Sequence, residues 1–246
     1  MQVLILAAGY GTRLYPLTLN VPKPLLPCSG KPIINFLLDK VKGFKGLKNV
    51  IVITNNKFTT NFAEWAKENK GFPVPLFVLS DGTNTPDDRL GAMGDIRFVL
   101  EKNLVTDDLL VMGGDNLFDY SLEEYKKTAE KNRPHTTIGL YDIHDQEAAK
   151  RFGIVEADKT GRVISFEEKP KKPRSTLTAM CLYYFPKESL SLVSDFLKET
   201  KKIDRAGDYI EWLSRNHAVF GFTFTGRWFD IGSLESYREA EKVFKP

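Results

Sequence analysis

Residues 4–27 read LILAAGYGTRLYPLTLNVPKPLLP, and this stretch decides how the rest of the chain is interpreted. It begins as a short apolar strand, passes through Gly9 and Gly11, and continues into a proline-rich loop that carries Arg13 and Lys23. A glycine-rich turn after a strand lets backbone amides approach phosphate oxygens, and the two cations add permanent positive charge. The segment therefore predicts a phosphate-binding loop, with an ordinary Gly/Pro turn as the alternative.

Two better-known phosphate loops do not fit this segment. A dinucleotide-binding fingerprint needs a third glycine where Leu14 stands, and it feeds a helix that Pro16 would interrupt. The second predicted strand also ends at Asn55 and Asn56, where such a fingerprint has an acidic residue for the ribose. No Gly-Lys-Ser/Thr triplet occurs in the sequence, which excludes a P-loop.

Composition and charge fit one globular body of ordinary size. The chain has 246 residues, 42% of them hydrophobic, and its formal net charge is only +3, which argues against nucleic-acid binding. Cys28, Cys181 and three histidines form no metal-ligand spacing. Because no signal peptide and no membrane-length apolar run is visible, we expect a soluble cytoplasmic protein without a membrane partner.

The first half of the chain alternates short apolar runs with amphipathic segments. The runs predicted as strands are Val3–Leu6, Val50–Thr54, Leu76–Ser80 and Leu109–Gly113. Pro32 is predicted at the first position of a helix, and Ser121 with Glu124 is predicted to form a capping box at the start of another. Strand–helix alternation of this kind predicts an α/β fold with a Rossmann-like, mostly parallel sheet flanked by helices.

The second half has more hairpin character. Gly153–Ala157 and Val163–Glu168 are predicted to be the two strands of a hairpin. Further strands are predicted at Thr178–Phe185 and Val219–Thr225, and helices near Leu190–Glu199, Tyr209–Asn216 and Leu234–Phe244. No linker or repeat interrupts the pattern, so we predict one domain over residues 1–246.

Two aspartates stand where a metal ion could bind. Asp115 follows the strand predicted at Leu109–Gly113, and Asp230 lies among apolar residues in the stretch WFDIG. A carboxylate in such surroundings should be paired or metal-bound, because burying an isolated charge is expensive. Two carboxylates with phosphate oxygens and water would suit Mg²⁺, whereas each aspartate taken singly would be a cap or turn residue.

The stretch FEEKP at residues 166–170 places adjacent acids and a lysine at a strand end. An exposed, salt-bridged turn is the ordinary interpretation. In a binding site, a carboxylate there would accept hydrogen bonds from ligand hydroxyls while the ammonium met a phosphate. No Ser/His/Asp or Cys/His pattern supports a nucleophilic hydrolase.

Together these motifs resemble the sugar nucleotidyltransferase family, the sugar-1-phosphate pyrophosphorylases. The matching motifs are LAAGYGTRL at 6–14, PKPLLP at 22–27, GDN at 114–116, FGIVE at 152–156, EEKP at 167–170 and WFDIG at 228–232. The resemblance covers nearly the whole chain. It implies the nucleotide-diphospho-sugar transferase fold, with a nucleotide-binding part at 1–140 and a sugar-phosphate-binding part at 141–246. It also implies a transferase that joins an NTP and a sugar 1-phosphate by a single in-line displacement, giving an NDP-sugar and pyrophosphate.

The resemblance implies a role for each matching residue. Nucleotide binding is implied for Ala8, Gly9, Gly11, Thr12, Arg13, Gly91 and Asp115. Arg13 and Lys23 are implied as catalytic, with Arg13 on the β- and γ-phosphates and Lys23 near the α-phosphate. Sugar-phosphate binding is implied for Asn116, Gly153, Glu168 and Lys169. The implied cofactor is Mg²⁺, bound by Asp115 and Asp230.

The sequence departs from the family pattern at two places. The loop after the third strand reads SDGTN at 80–84 and lacks the glutamine that reads a pyrimidine in thymidylyl- and uridylyltransferases. Met180 and Cys181 stand where the family often has a small residue and a glycine. These departures leave the identity of the nucleobase and of the acceptor undetermined by the sequence. A homo-oligomer is a separate possibility that no motif addresses. The alternatives are a cytidylyltransferase-like enzyme for a non-sugar phosphate and a non-catalytic subunit that senses nucleotides or sugars.

Overall fold

A computed structural model of the chain describes residues 1–200 and 204–244. The strands are β1 (Gln2–Leu6), β2 (Pro27–Cys28), β3 (Lys31–Pro32), β4 (Val50–Thr54), β5 (Leu76–Ser80), β6 (Leu109–Gly113), β7 (Asn116–Phe118), β8 (Thr136–Asp142), β9 (Gly153–Ala157), β10 (Val163–Glu168), β11 (Leu177–Phe185), β12 (Val219–Phe224) and β13 (Trp228–Asp230). The helices are α1 (Ile33–Val41), α2 (Thr59–Glu68), α3 (Gly91–Glu101), α4 (Glu123–Lys131), α5 (Gln146–Ala149), α6 (Ser191–Glu199), α7 (Ala206–Asn216) and α8 (Leu234–Val243).

The first of two compact units contains a parallel sheet. It comprises Met1–Gly91, Met112–Ser121 and Gly226–Pro246. Strand β4 pairs in parallel with β1 and with β5, and the side chains of β4 are all buried. Burial on both faces explains why β1 and β4 are continuous apolar runs and do not alternate with polar residues. The predicted bounds of β4, β5 and β6 are confirmed, and β1 begins one residue earlier than predicted.

The ends of β1 and β6 in this unit approach each other closely. The Gly114 amide donates to the Leu6 carbonyl at 2.9 Å, and a Cβ atom on residue 114 would lie 2.7 Å from that oxygen. Only glycine permits this approach. Strand β7 then pairs antiparallel with β13, so that Asn116 lies opposite Asp230. This short ladder joins two of the motifs that the sequence analysis identified separately.

A hydrophobic cluster packs beside the ladder. Its buried members are Leu14, Leu26, Cys28, Ile33, Leu117, Ile231, Tyr237, Ala240 and Phe244. They come from the opening loop, α1, the ladder and α8, and each fully buried large side chain contributes roughly 1.5–3 kcal/mol. The cluster therefore holds the loop that carries Arg13 and Lys23 against the rest of the unit.

The second compact unit contains the predicted hairpin and a mixed sheet. It comprises Ala92–Val111 and Leu122–Thr225. Strands β9 and β10 form an antiparallel hairpin with the predicted bounds. Strand β11 pairs antiparallel with β8 and β9, and β12 pairs in parallel with β8. The sequence analysis named no strand at β8, where polar residues and Gly139 interrupt the apolar run.

The predicted helix starts need two corrections. Helix α4 begins at Glu123 with Leu122 at its N-cap position, so the helix start predicted from Ser121 is one residue too early. Pro32 is the N-cap of α1 and not its first helical residue. A capping box does occur at α8, where the Ser233 and Ser236 side chains accept from each other's backbone amides. Two serines in that arrangement lack the Glu or Gln that the usual sequence signature requires.

The α/β class with a mostly parallel sheet and flanking helices is confirmed. Strand β8 with β11, β9 with β10 and β9 with β11 are antiparallel pairs of the large sheet. Within the described part of the chain, no helix is both long and apolar enough to cross a membrane.

Candidate active site

Gly11 shapes the loop of residues 8–27, which we call the signature loop. Its φ of +63° lies in the left-handed region and precedes a 3-10 turn at Thr12–Leu14. The Thr18 hydroxyl donates to the Gly11 carbonyl at 2.7 Å, and a Cβ atom on residue 11 would meet Thr18 at 3.1 Å. The turn buries Leu14 and leaves Thr12 and Arg13 exposed. A glycine at 11 thus makes Arg13 accessible to a ligand.

The beginning of the signature loop is fixed from the β4 side. The buried Asn55 side chain donates to the Ala8 carbonyl at 2.8 Å, and the Ala7 amide donates to Ile53 at 2.9 Å. Gly9 is exposed, and a Cβ atom there would have no neighbour within 4 Å. Asn55 therefore anchors the loop, while the Gly9 backbone faces open space as a phosphate site requires.

Lys23 and Asp115 form the closest ion pair among the predicted site residues. Lys23 Nζ lies 2.5 Å from Asp115 Oδ2, and the two side chains are 12% and 31% exposed. A 3-10 turn at Lys23–Leu25 holds the lysine, and Pro22 precedes that turn in extended conformation. The second carboxylate oxygen of Asp115 has no hydrogen-bond partner among the described residues. This pair brings a cation and a metal-type ligand together.

Arg13 and Asp230 meet at Gly232. A Cβ atom on Gly232 would lie 3.5 Å from both terminal nitrogens of Arg13 and 3.6 Å from Asp230 Oδ2. The absence of a side chain at 232 therefore keeps open the space beside the guanidinium and the carboxylate. Because the Gly232 amide donates to the Asp230 carbonyl at 2.8 Å, a tight turn holds this glycine there.

The β7–β13 ladder aligns the two predicted metal ligands. Asp230 lies opposite Asn116, and the Ile231 amide donates to the Asp115 carbonyl at 3.0 Å. Two carboxylates at one end of a ladder, with ligand phosphates, match the oxygen donors that Mg²⁺ prefers, so the residues present fit the ion. In residues 1–200 and 204–244, no group of three acidic, His or Cys side chains forms a metal site by itself.

Asn116, predicted to contact the sugar, has a buried side chain. It is 2% exposed, and its Oδ1 accepts from the Trp228 indole at 2.9 Å. The indole bond links the two strands of the ladder. The structure thus gives this side chain a bracing role between β7 and β13, and its ligand-binding role stays a prediction.

The loop after β5 is tied to the signature loop through a hydroxyl chain. The Tyr10 hydroxyl donates to Thr83 Oγ1 at 3.2 Å, and the Thr83 hydroxyl and amide both donate to Asp81 Oδ1 at 2.8 Å. Burial raises the pKa of Tyr10. Gly91, the predicted base contact, begins α3 with a φ of +76°. The sequence analysis identified the missing glutamine in this loop. It did not identify the hydrogen bond from Tyr10 to Thr83, because it joins residues that are 73 positions apart.

The second unit gathers the remaining predicted residues around Glu168. A Cβ atom on Gly153 would lie 3.1 Å from Glu168 Oε2, because the hairpin places β9 beside β10. Lys169 follows directly with a φ of +53°, and its Nζ lies 3.8 Å from Glu168 Oε1. Gly153, Glu168 and Lys169 are therefore brought together as predicted from the hairpin.

Glu168 is a buried carboxylate with little to neutralise it. Its side chain is only 9% exposed, and its ion-pair partners are Lys169 at 3.8 Å and Arg205 at 3.9 Å. Burial raises the pKa of Glu168, and the two cations offset that rise only in part. No hydrogen bond reaches the carboxylate from any described residue. Such a group is available to a ligand that brings hydroxyl donors.

Arg205 and Gly207 are the functional candidates that sequence reasoning missed. Arg205 is the N-cap of α7, and Gly207 lies in the first turn of that helix, against Glu168. The only signal in the sequence was a short RAG stretch before a helical pattern.

Cys181 has a backbone φ of +52°, and it lies where the register of β11 against β8 is broken. A non-glycine residue with positive φ is uncommon, so Cys181 occupies a strained position in this strand.

Comparison with known proteins identifies the family and the fold type. The Nucleotidyl transferase family profile matches residues 2–245, and the chain belongs to this family of enzymes. The fold is similar to that of a Bacillus anthracis protein, provisionally named a glucose-1-phosphate thymidylyltransferase and solved in complex with a sucrose. The two share 23% identity over 99% of this chain and 94% of the other, with a TM-score of 0.83. The family resemblance and the fold type drawn from the motifs are thus confirmed.

Proposed function

We propose that the protein transfers a nucleotidyl group from an NTP to a sugar 1-phosphate, forming an NDP-sugar and pyrophosphate. The observation that carries this proposal is the pairing of two cations with two carboxylates, Lys23 with Asp115 and Arg13 beside Asp230. Both pairs lie at a glycine-rich loop and a short ladder. Two polyanions must meet in such a reaction, so charge neutralisation and alignment are the main requirements.

The signature loop would bind the nucleotide. Arg13, exposed at the end of a tight turn, would hold the β- and γ-phosphates through two parallel donors. The backbone contacts to the nucleotide would come from Ala8, Gly9, Gly11, Thr12 and Gly91. We assign residues 1–140 to nucleotide binding and residues 141–246 to the sugar phosphate, with Asn116 and Asp230 as the two exceptions.

The chemical step would be one in-line displacement. A phosphate oxygen of the acceptor attacks the α-phosphorus, the bond to the oxygen that bridges the α- and β-phosphates breaks, and pyrophosphate leaves with that electron pair. Lys23 would neutralise charge at the α-phosphate as the two anions approach. No protein nucleophile is required, because the acceptor phosphate is already ionised.

Asp115 and Asp230 would hold Mg²⁺ beside the nucleotide phosphates. When bound, the ion supplies positive charge to the transferring phosphoryl group. Lys23 contacts Asp115 Oδ2, and the other carboxylate oxygen of Asp115 remains for a metal ion. The ion pair also keeps Lys23 oriented before a nucleotide arrives.

The acceptor would bind around Glu168. Its carboxylate would accept hydrogen bonds from sugar hydroxyls, with Gly153 leaving room beside it. Lys169 and Arg205, each within 4 Å of the carboxylate, would meet the acceptor phosphate. Asn116 stays a predicted contact of the sugar.

Substitution of Lys23 tests the charge-neutralising role. For Lys23→Ala we expect kcat to fall by about 10²–10³-fold, because a preorganised charge at the reacting group is lost. Pyrophosphate release from an NTP and glucose 1-phosphate is the readout. Lys126→Ala is the matched control, since Lys126 is 14% exposed and also pairs with a carboxylate, at 2.6 Å. Equal rates for the two variants would contradict the role of Lys23.

A further inference from the structure

The first turn of α7 lies unusually close to the Glu168 carboxylate. A Cβ atom on Gly207 would lie 2.0 Å from Glu168 Oε2 and 2.7 Å from its Cδ. Real Cβ atoms essentially never approach another heavy atom closer than 3.0 Å. Any side chain at 207 would therefore force the carboxylate oxygen to move by about 1 Å or more, a displacement that matters in a binding site.

Gly207 is not explained by the needs of its helix. Its φ is not positive, and glycine in a helix is less favourable than alanine by up to about 1 kcal/mol. Gly139 and Gly221 in this unit are also closely packed, but they face the leucine side chains of Leu182 and Leu140. At Gly207 the neighbouring group is instead a buried carboxylate that receives no hydrogen bond from the described residues.

Two glycines border the Glu168 carboxylate and leave room for it. Gly207 lies on one side of Oε2, and Gly153 lies on another, where a Cβ atom would be 3.1 Å away. Lys169 and Arg205 are the nearest cations, at 3.8 and 3.9 Å from Oε1. At Gly153 the nearest group is the Phe166 ring, 2.4 Å from where a Cβ atom would lie, so Gly207 is the glycine whose missing side chain chiefly leaves room for Oε2.

We propose that Gly207 is a positioning residue for the acceptor: its missing side chain lets Glu168 lie where its oxygens accept hydrogen bonds from acceptor hydroxyls. This inference rests on the proposed function. The acceptor is the sugar phosphate of that function, since Glu168 offers only acceptor oxygens for its hydroxyls and the neighbouring Lys169 and Arg205 suit its phosphate. An acceptor phosphate without hydroxyls would leave Glu168 unpaired.

The test is Gly207→Ala in the full-length protein. Because the group that must move is the end of a flexible side chain, and alanine favours helices, we expect the variant to fold with an unchanged or higher Tm. We expect the KM for glucose 1-phosphate to rise about 10–100-fold, with the KM for the NTP unchanged. Gly71→Ala, at a site where a Cβ atom has no neighbour within 4 Å, should leave both constants unchanged.

A double variant separates positioning from general damage. Glu168→Asp shortens the side chain by one methylene and withdraws the carboxylate from the alanine, so it should impair Gly207→Ala less than it impairs the wild-type protein. An unchanged acceptor KM in Gly207→Ala, or additive losses in the double variant, would overturn the proposal. A wild-type protein that is inactive with every NTP and sugar phosphate would instead overturn the proposed function.

Discussion

Two buried carboxylates in the second unit have opposite surroundings. The Asp108 side chain is 11% exposed and accepts from the Tyr184 hydroxyl at 2.7 Å, the Lys187 amide at 2.9 Å and Arg133 at 2.5 Å. The Glu168 side chain is 9% exposed, and no hydrogen bond from a described residue reaches it. Burial raises the pKa of both groups, but at Asp108 the three donors outweigh burial and the pKa is lowered.

The number of hydrogen-bond donors distinguishes a carboxylate that stabilises the fold from a carboxylate that is available to bind a ligand. Folding stabilises a buried charge by giving it donors, as the chain does for Asp108. Glu168 is buried to the same degree without them, so the native state keeps a group whose partners must come from elsewhere. Under our proposal, the acceptor hydroxyls are those partners.

The largest expected effect is on stability, at Asp108. Asp108→Ala removes the acceptor of three donors and should cost about 3 kcal/mol of unfolding free energy, because buried donors are left unpaired. For a chain of this length that lowers Tm by about 6–12 °C. Differential scanning calorimetry measures it, and kcat below the transition should stay at the wild-type value.

Glu188→Ala is the control for that measurement. Glu188 also pairs with Arg133, at 2.9 Å, but its side chain is 54% exposed. An exposed pair contributes at most about 1 kcal/mol, so this variant should lie close to the wild type. Similar Tm losses in the two variants would contradict the structural role given to Asp108.

The next effect is on binding, at Glu168. Glu168→Gln keeps the shape of the side chain but removes its charge, so kcat/KM for the sugar phosphate should fall about 10–100-fold. Tm should not fall, since no described residue donates a hydrogen bond to this carboxylate in the folded chain. Glu167→Gln, at the exposed neighbouring position of β10, should leave kinetics unchanged. A loss of Tm without a loss of kcat/KM would make Glu168 a structural residue like Asp108.

The smallest expected effect is that Glu168 and Asp108 contribute to the free energy of unfolding with opposite dependence on pH. The raised pKa of Glu168 means that the folded state binds its proton more tightly than the unfolded chain. Its contribution to stability is therefore fully present below the unfolded pKa and is lost as pH rises through the folded pKa. Asp108, with a lowered pKa, contributes stability above its unfolded pKa that is lost as pH falls through the folded pKa.

The titration of Glu168 should also appear in the pH dependence of acceptor kinetics. Protonation removes the charge on Glu168, so kcat/KM for the sugar phosphate should fall as pH decreases through the raised pKa. The acceptor phosphate also titrates, with a second pKa of about 6. Only the Glu168 component should be absent from the profile of Glu168→Gln. Superimposable profiles for the two proteins would contradict an ionised Glu168 in acceptor binding.

Most of the sheet could be predicted, because buried strands are continuous apolar runs. The bounds of β4, β5 and β6 follow from such apolar runs, and those of β9 and β10 follow from the hairpin pattern. Strand β8 was missed, since its threonines and Gly139 break the run, although five of its residues are buried. The start of α4 was misplaced because a Ser-x-x-Glu spacing alone does not fix which residue caps a helix.

The sequence predicted the individual site residues that lie within a local motif, but not which of them come together in space. Arg13, Lys23, Asp115 and Asp230 were identified in separate motifs, but their proximity depends on the β7–β13 ladder, which no local pattern encodes. Gly207 was not identified, because its role depends on contact with a carboxylate 39 residues earlier in the chain. Long-range packing of this kind leaves no periodic signal in the sequence.

The most direct test of the account is a coupled assay of the wild-type protein. The protein with Mg²⁺ is incubated with each NTP and dNTP and with glucose 1-phosphate, other sugar 1-phosphates or phosphocholine, and pyrophosphate release and products are measured. The account predicts release that needs both an NTP and a sugar 1-phosphate, with one NDP-sugar formed per pyrophosphate. No release with any pair, or release with phosphocholine but with no sugar phosphate, would contradict it.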